Sequence, residues 1–234
     1  MEERKFGSFY IGGKVSEPHV DCQLSQVTAI SLGDTVPGKE LKWVESEGFW
    51  VADTEVCLNI SWQQLNYIGY IFGHPVKIDG RLFLCRSPKI SRKPGKPNEW
   101  NALLNRHTWT GTSFYHFWVQ EAKRGESAMR YACESQLAQK IDAFNSGCRA
   151  HWIGFRPVLE PLPPIPTDLS PLVGQKVLAY APGGYSFHCK MVEVNKYDIV
   201  LNTSVEPPRN CAWAIRDGKR VIIKRDCLLW LKEG

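Results

Sequence analysis

No apolar run in the sequence approaches the roughly 20 residues that a membrane-spanning helix needs, which excludes a helical anchor within it. Met1-Glu2-Glu3-Arg4-Lys5 leads into no apolar segment, so no secretory leader is expected and the predicted location is the cytoplasm. Cys22, Cys57, Cys85, Cys133, Cys148, Cys189, Cys211 and Cys227 are scattered without a Cys-x-x-Cys pair, which argues against a zinc or redox motif and for reduced core thiols. Strong charge of one sign is missing too. The formal net charge of +5 over 234 residues permits an acidic partner without demanding one. No nucleophile-elbow motif marks a Ser, His and acid set, and His74, His107, His116 and His151 do not fall at metal-ligand spacing. The sequence thus assigns no catalytic residue, no metal and no cofactor, and the chain is expected not to be an enzyme.

What is present is an ordinary globular composition, 43% hydrophobic and 23% charged, long enough for two modest domains. The stretch His151–Glu160 divides them. At period two Ile153, Phe155 and Leu159 fall on one side and Trp152, Gly154 and Arg156 on the other, as in a strand with one apolar face. Pro157 cannot donate to a ladder, so an edge strand or a bulge is expected there. The following Pro161-Leu162-Pro163-Pro164-Ile165-Pro166 favours an extended polyproline spacer. The predicted organisation is a domain over 1–160, a proline-rich linker over 161–168 and a second domain over 169–234.

Along the first domain, residues 6–15 suggest a glycine-rich hairpin, 27–32 a strand, and 41–51 aromatic-rich β structure turning at Gly48. Ser61 and Gln64 form a Ser-x-x-Gln capping box ahead of Trp62, Leu65, Ile68 and Phe72 at helical spacing, with Gly73 and Pro75 as the stop. Asp79-Gly80 predicts a hairpin in which both turn residues take positive φ. Its second strand delivers Arg86 to a basic, proline-rich loop holding Lys89, Arg92, Lys93 and Lys96, which phosphate would suit. Asn98 caps a second expected helix with Trp100, Leu103 and Leu104 on its apolar face. An aromatic segment with Trp109, Phe114, Tyr115, Phe117 and Trp118 reads either as core or as the lining of a ligand pocket. In the second domain, strand signals at 176–180, 185–194, 197–201, 211–215, 220–224 and 228–231 suit a small barrel.

The order helix, Asp-Gly hairpin, Cys85-Arg86-Ser87-Pro88, basic loop, Asn98-Glu99-Trp100, aromatic stretch and closing Trp152-Ile153-Gly154-Phe155-Arg156-Pro157 resembles a group of uncharacterised bacterial and prophage proteins. Their closing strand is similar to that of the formylglycine-generating-enzyme branch of the C-type lectin fold, which the variable proteins of diversity-generating retroelements share. Leu172–Val177, Met191–Val194, Tyr197–Leu201 and Val221–Leu229 resemble the two halves of an Sm-like barrel, with a plain SH3-like barrel as the alternative. These resemblances imply an α+β fold: a C-type-lectin-like domain followed by a small all-β Sm-like or SH3-like barrel.

The function so implied is a non-catalytic binding protein of phage or prophage origin that recognises a macromolecular partner, a protein or a protein–nucleic-acid complex, to interfere with a host defence complex. Arg86, Trp109, Tyr115, Trp118 and Arg130 are the expected partner-binding residues. The alternative is an RNA-binding protein using Lys89, Arg92, Lys93, Lys96, Lys224 and Arg225, with the barrel as a route to homo-oligomers. A formylglycine-generating oxidase is third, because Cys133 and Cys148 lack a neighbouring His or Cys at ligand spacing.

Overall fold

The computed structural model describes residues 2–22, 30–90, 99, 115–122, 125–126, 128–134, 141–182, 185–208 and 211–234. They divide between Leu162 and Pro163 into two compact units. Strand accounts for 52% and helix for 7% of the described residues, so the expected α+β class is corrected to a nearly all-β one among them. The helix expected to begin at Asn98 lies outside the described residues apart from Glu99. The helix expected over 62–72 is only α1 (Trp62–Tyr67), because Gly69 at φ 87° ends it one turn early. Its start is the predicted box: Ser61 Oγ accepts from Gln64 N at 3.2 Å, and Gln64 Oε1 accepts from Ser61 N at 2.9 Å.

The strands of the first unit are β1 (Glu3–Phe6), β2 (Ser8–Ile11), β3 (Lys14–Ser16), β4 (Val20–Asp21), β5 (Ile30–Gly33), β6 (Leu41–Ser46), β7 (Phe49–Ala52), β8 (Cys57–Leu58), β9 (His74–Ile78), β10 (Arg81–Arg86), β11 (His116–Ala122), β12 (Met129–Glu134), β13 (Ile141–Asn145), β14 (Ile153–Phe155) and β15 (Val158–Pro161). They form a sheet ordered β1-β6-β7-β15-β10-β9, a second ordered β13-β12-β11-β14-β8-β4, and a small β3-β2-β5 sheet. Tight turns join neighbours where the residues tolerate positive φ: Gly12-Gly13, Glu47-Gly48 and Asp79-Gly80, the last at 49° and 78°.

The closing stretch is not one strand. Pro157 splits it into β14, between β11 and β8, and β15, between β7 and β10. Neither is an edge strand. The reason is that Pro157 offers no N–H but its carbonyl still accepts from Ala52 N at 3.0 Å, so the chain leaves one sheet and enters the other at the residue that cannot donate.

The β1-to-β9 sheet buries both faces. Leu41, Trp43, Ala52, Phe83, Cys85 and Leu159 join the main core, while Val44, Val51 and Val158 meet Ile90, Phe117, Val119 and Cys133 in a second cluster. Its two edge strands curl towards one another: the rings of Phe6 on β1 and Phe83 beside β9 stack with centroids 6.0 Å apart. Gly7, at φ 62°, is needed there, because a Cβ would stand 3.0 Å from Ile78 Cγ2.

The second unit carries β16 (Lys176–Ala181), β17 (Tyr185–Val194), β18 (Asp198–Asn202), β19 (Ala214–Asp217), β20 (Arg220–Lys224) and β21 (Trp230–Glu233) in one antiparallel sheet ordered β19-β20-β18-β17-β16-β21. Alternating inward residues, among them Val177, Ala179, Phe187, Met191, Ile199, Leu201, Val221 and Ile223, fill its core. The prolines read as a spacer are shared out. Pro161 ends β15, whereas the Pro163 carbonyl accepts from Trp230 Nε1 at 3.2 Å and Ile165 packs against the second core.

Candidate functional site

In the second unit two connections come together at one end of the β18–β20 ladder. The first joins β17 to β18. Asn195 Oδ1 accepts from the backbone N–H groups of both Tyr197 and Asp198 at 2.8 Å, and Asn195 N donates to the Asp198 carbonyl at 3.0 Å. That Asx-type turn is self-supporting and lifts Tyr197 out of the strand predicted for it. Tyr197 is 69% exposed, and the Lys196 ammonium lies 5.4 Å from its ring centroid.

The second connection is the short 3-10 turn Arg225–Cys227 after β20. Arg225 N donates to the Tyr197 carbonyl at 2.7 Å, which ties the two loops together. The Arg225 guanidinium donates to the carbonyls of Asn195 and Thr167, so it fixes the site as well as charging it. Lys224 stands directly across from Asp198 in the β18–β20 ladder. The result is an open cleft of about 530 Å³ lined by Lys196, Tyr197, Asp198, Lys224, Arg225 and Asp226. Three cations face two carboxylates, and one of these, Asp226, is engaged with the Cys227 thiol, whose pKa is pushed up by burial first and then by that hydrogen bond. An exposed ring among lysines can stack a flat ring while the ammonium groups meet phosphate.

The residues singled out from sequence have separate positions. Lys224 and Arg225 meet in this cleft. Arg92, Lys93, Lys96 and Trp109 lie outside the described residues. Lys89 is half-exposed with its ammonium 3.6 Å from Glu160. Arg86 is only 1% exposed and donates to Glu99 at 2.8 and 2.6 Å and to Glu160 at 2.9 and 2.5 Å. Burial alone would lower its pKa, but the two carboxylates outweigh it and hold the pKa above the ordinary value. Trp118 is fully buried and donates from Nε1 to the Ile60 carbonyl at 2.7 Å. Tyr115 is half-buried beside His19, with ring centroids 5.5 Å apart, and the Arg130 guanidinium lies 4.3 Å from the Trp62 ring centroid.

Lys196 and Tyr197 are the members that sequence reasoning passed over. Their signal was the neighbouring Asn195, a turn former between two apolar runs, which makes an adjacent basic and aromatic pair a loop feature rather than the start of a strand. Among the described residues no group of three His, Cys, Asp or Glu could hold a metal ion, and no helix is long and apolar enough to cross a membrane. No family model, no curated protein and no solved structure matches this chain.

Proposed function

We propose that the chain is a binding protein for single-stranded nucleic acid and that the cleft between the β17–β18 and β20–β21 connections receives it. The observation that carries this reading is the exposed Tyr197 ring held among Lys196, Lys224 and Arg225. Stacking on an aromatic ring is tolerant of base identity, and lysines neutralise phosphates without reading sequence, so the expected preference is for unpaired strands over duplex. No bond is made or broken in this role. A cytoplasmic location belongs to the same proposal and is supported by eight cysteines that are all free thiols.

Fluorescence anisotropy with labelled single-stranded RNA and DNA, and with a duplex of the same sequence, tests it. Single strands are expected to bind more tightly than the duplex. Tyr197→Ala should weaken them roughly fivefold to a hundredfold, the range for loss of one stacked base. Lys196→Ala and Lys224→Ala should weaken them with unchanged thermal unfolding. Absence of binding by the wild type, or equal binding by all three variants, would refute the assignment.

A further inference from the structure

The first unit has a cleft of its own, of about 370 Å³, where the curled sheet brings β1 towards the β9–β10 hairpin. Its floor is apolar. Phe6 and Trp50 are half-buried and meet edge to face at 5.7 Å, above Trp43 and Phe83, which are buried. Its rim is cationic. Arg4 comes from the edge strand, 5.4 Å from the Trp50 ring centroid, Lys5 follows it, and Arg81 opens β10, 6.0 Å from the Phe83 ring centroid.

The acidic residues nearby are Asp34, Asp79 and Glu2, and each is held in place by hydrogen bonds: Asp34 Oδ1 accepts from Asp79 N at 2.7 Å. Asp79 accepts from Thr35 N at 2.8 Å and from Thr35 Oγ1, and these bonds hold its pKa below the usual carboxylate value. Glu2 takes only the Nε–H of Arg4, at 2.6 Å, and both Nη atoms of that guanidinium are without a hydrogen bond among the described residues. The lining of the cleft therefore pairs apolar rings with three cations and one carboxylate, Asp79, and the guanidinium fork of Arg4 suits a planar or tetrahedral oxyanion. A volume of 370 Å³ lies at the small end of ligand pockets and admits one ring system with one phosphate rather than a chain of them.

We propose that this cleft is a binding site for a nucleoside monophosphate, its base against Phe6 and Trp50 and its phosphate between Arg4 and Arg81. The site lies in the first unit, and the proposal is independent of the cleft around Tyr197. Isothermal titration of the full chain with the four common nucleoside monophosphates, with the matching nucleosides and with inorganic phosphate tests it. At least one nucleotide is expected to bind about tenfold more tightly than its nucleoside and than phosphate alone, because each half of the site contributes. Arg4→Ala and Arg81→Ala change exposed side chains and should abolish that advantage while thermal unfolding is unchanged. Tyr197→Ala should leave the titration as it was. The proposal is overturned if no nucleotide binds at millimolar concentration, if phosphate alone binds as well as the nucleotide, if the two arginine variants titrate like the wild type, or if Tyr197→Ala removes the binding.

Discussion

Arg156 shows how much one residue of this chain can carry. The residue is 2% exposed, and its guanidinium donates to Glu55 Oε1 at 3.2 and 3.0 Å and lies 5.1 Å from the Phe117 ring centroid. Glu55 is wholly buried, so Arg156→Ala removes the charge that offsets a buried carboxylate and should cost about 3–5 kcal/mol of stability in a urea titration. A loss below about 1 kcal/mol would mean that the pair behaves like a surface bridge. The neighbouring Gly154 has a different constraint: a Cβ there would stand 2.3 Å from the Cys57 carbonyl oxygen. The period-two pattern put Gly154 and Arg156 on one side of a single strand, whereas Arg156 lies between β14 and β15, and it could not say that the first meets a backbone and the second a carboxylate, because both partners are about 100 residues away in the chain.

Glu160 gives the pH dependence at the same scale. Burial would raise its pKa, but the hydrogen bond and charge of Arg86 prevail and hold it below its ordinary 4.5. The unfolded chain therefore binds the proton more readily. The stability contributed by this pair is present above about pH 4.5 and is lost as pH falls through the lower folded value. Glu160→Gln should make the decline in unfolding free energy between pH 5 and pH 3 shallower. An identical decline in the variant would remove Glu160 from the account.

Among the elements, those determined by neighbours in the chain were legible and those determined by distant partners were not. The Ser61–Gln64 box and the Asp79-Gly80 turn depend on three or four consecutive residues, and both stand as the residues dictate. The length of α1 depends on which of two glycines ends it, and periodicity favoured Gly73 because Ile68 and Phe72 kept the helical spacing. The structure ends it before Gly69 and leaves Phe72 on the surface. The expectation of α+β came from the resemblances and not from local residues, and it is overturned by the strand content itself, 52% against 7% helix among the described residues. Ser61→Ala should cost about 1 kcal/mol, measured by thermal or denaturant unfolding. A change near zero would show that tertiary packing of Trp62 and Leu65, not the cap, holds this short helix. Pro157 is the other instructive element: its missing donor was visible in the sequence, but its outcome, a passage between two sheets, required knowing that β7 and β8 flank it on either side.

For the molecule as a whole, each unit has a core of its own. Leu162 N donates to the Leu82 carbonyl at 2.9 Å, while the carbonyl of Pro163 serves Trp230. Fragments cut between these two residues should each unfold cooperatively. Failure of both to fold would show that the cores are interdependent. The candidate nucleic-acid site was half legible: Lys224 and Arg225 are a visible basic pair, but their meeting with Lys196 and Tyr197 depends on the β18–β20 pairing and on the bond from Arg225 to the Tyr197 carbonyl.

The most direct test of the central claim is the salt dependence of single-strand binding, because only contacts with phosphate release counterions. With Lys196, Lys224 and Arg225 at phosphates, the logarithm of the binding constant should fall with the logarithm of salt concentration at a slope of about −2, and Lys224→Ala should reduce its magnitude by about 0.7. Binding that is insensitive to salt, or a slope that is the same in Lys224→Ala, would contradict the assignment of this cleft to nucleic acid.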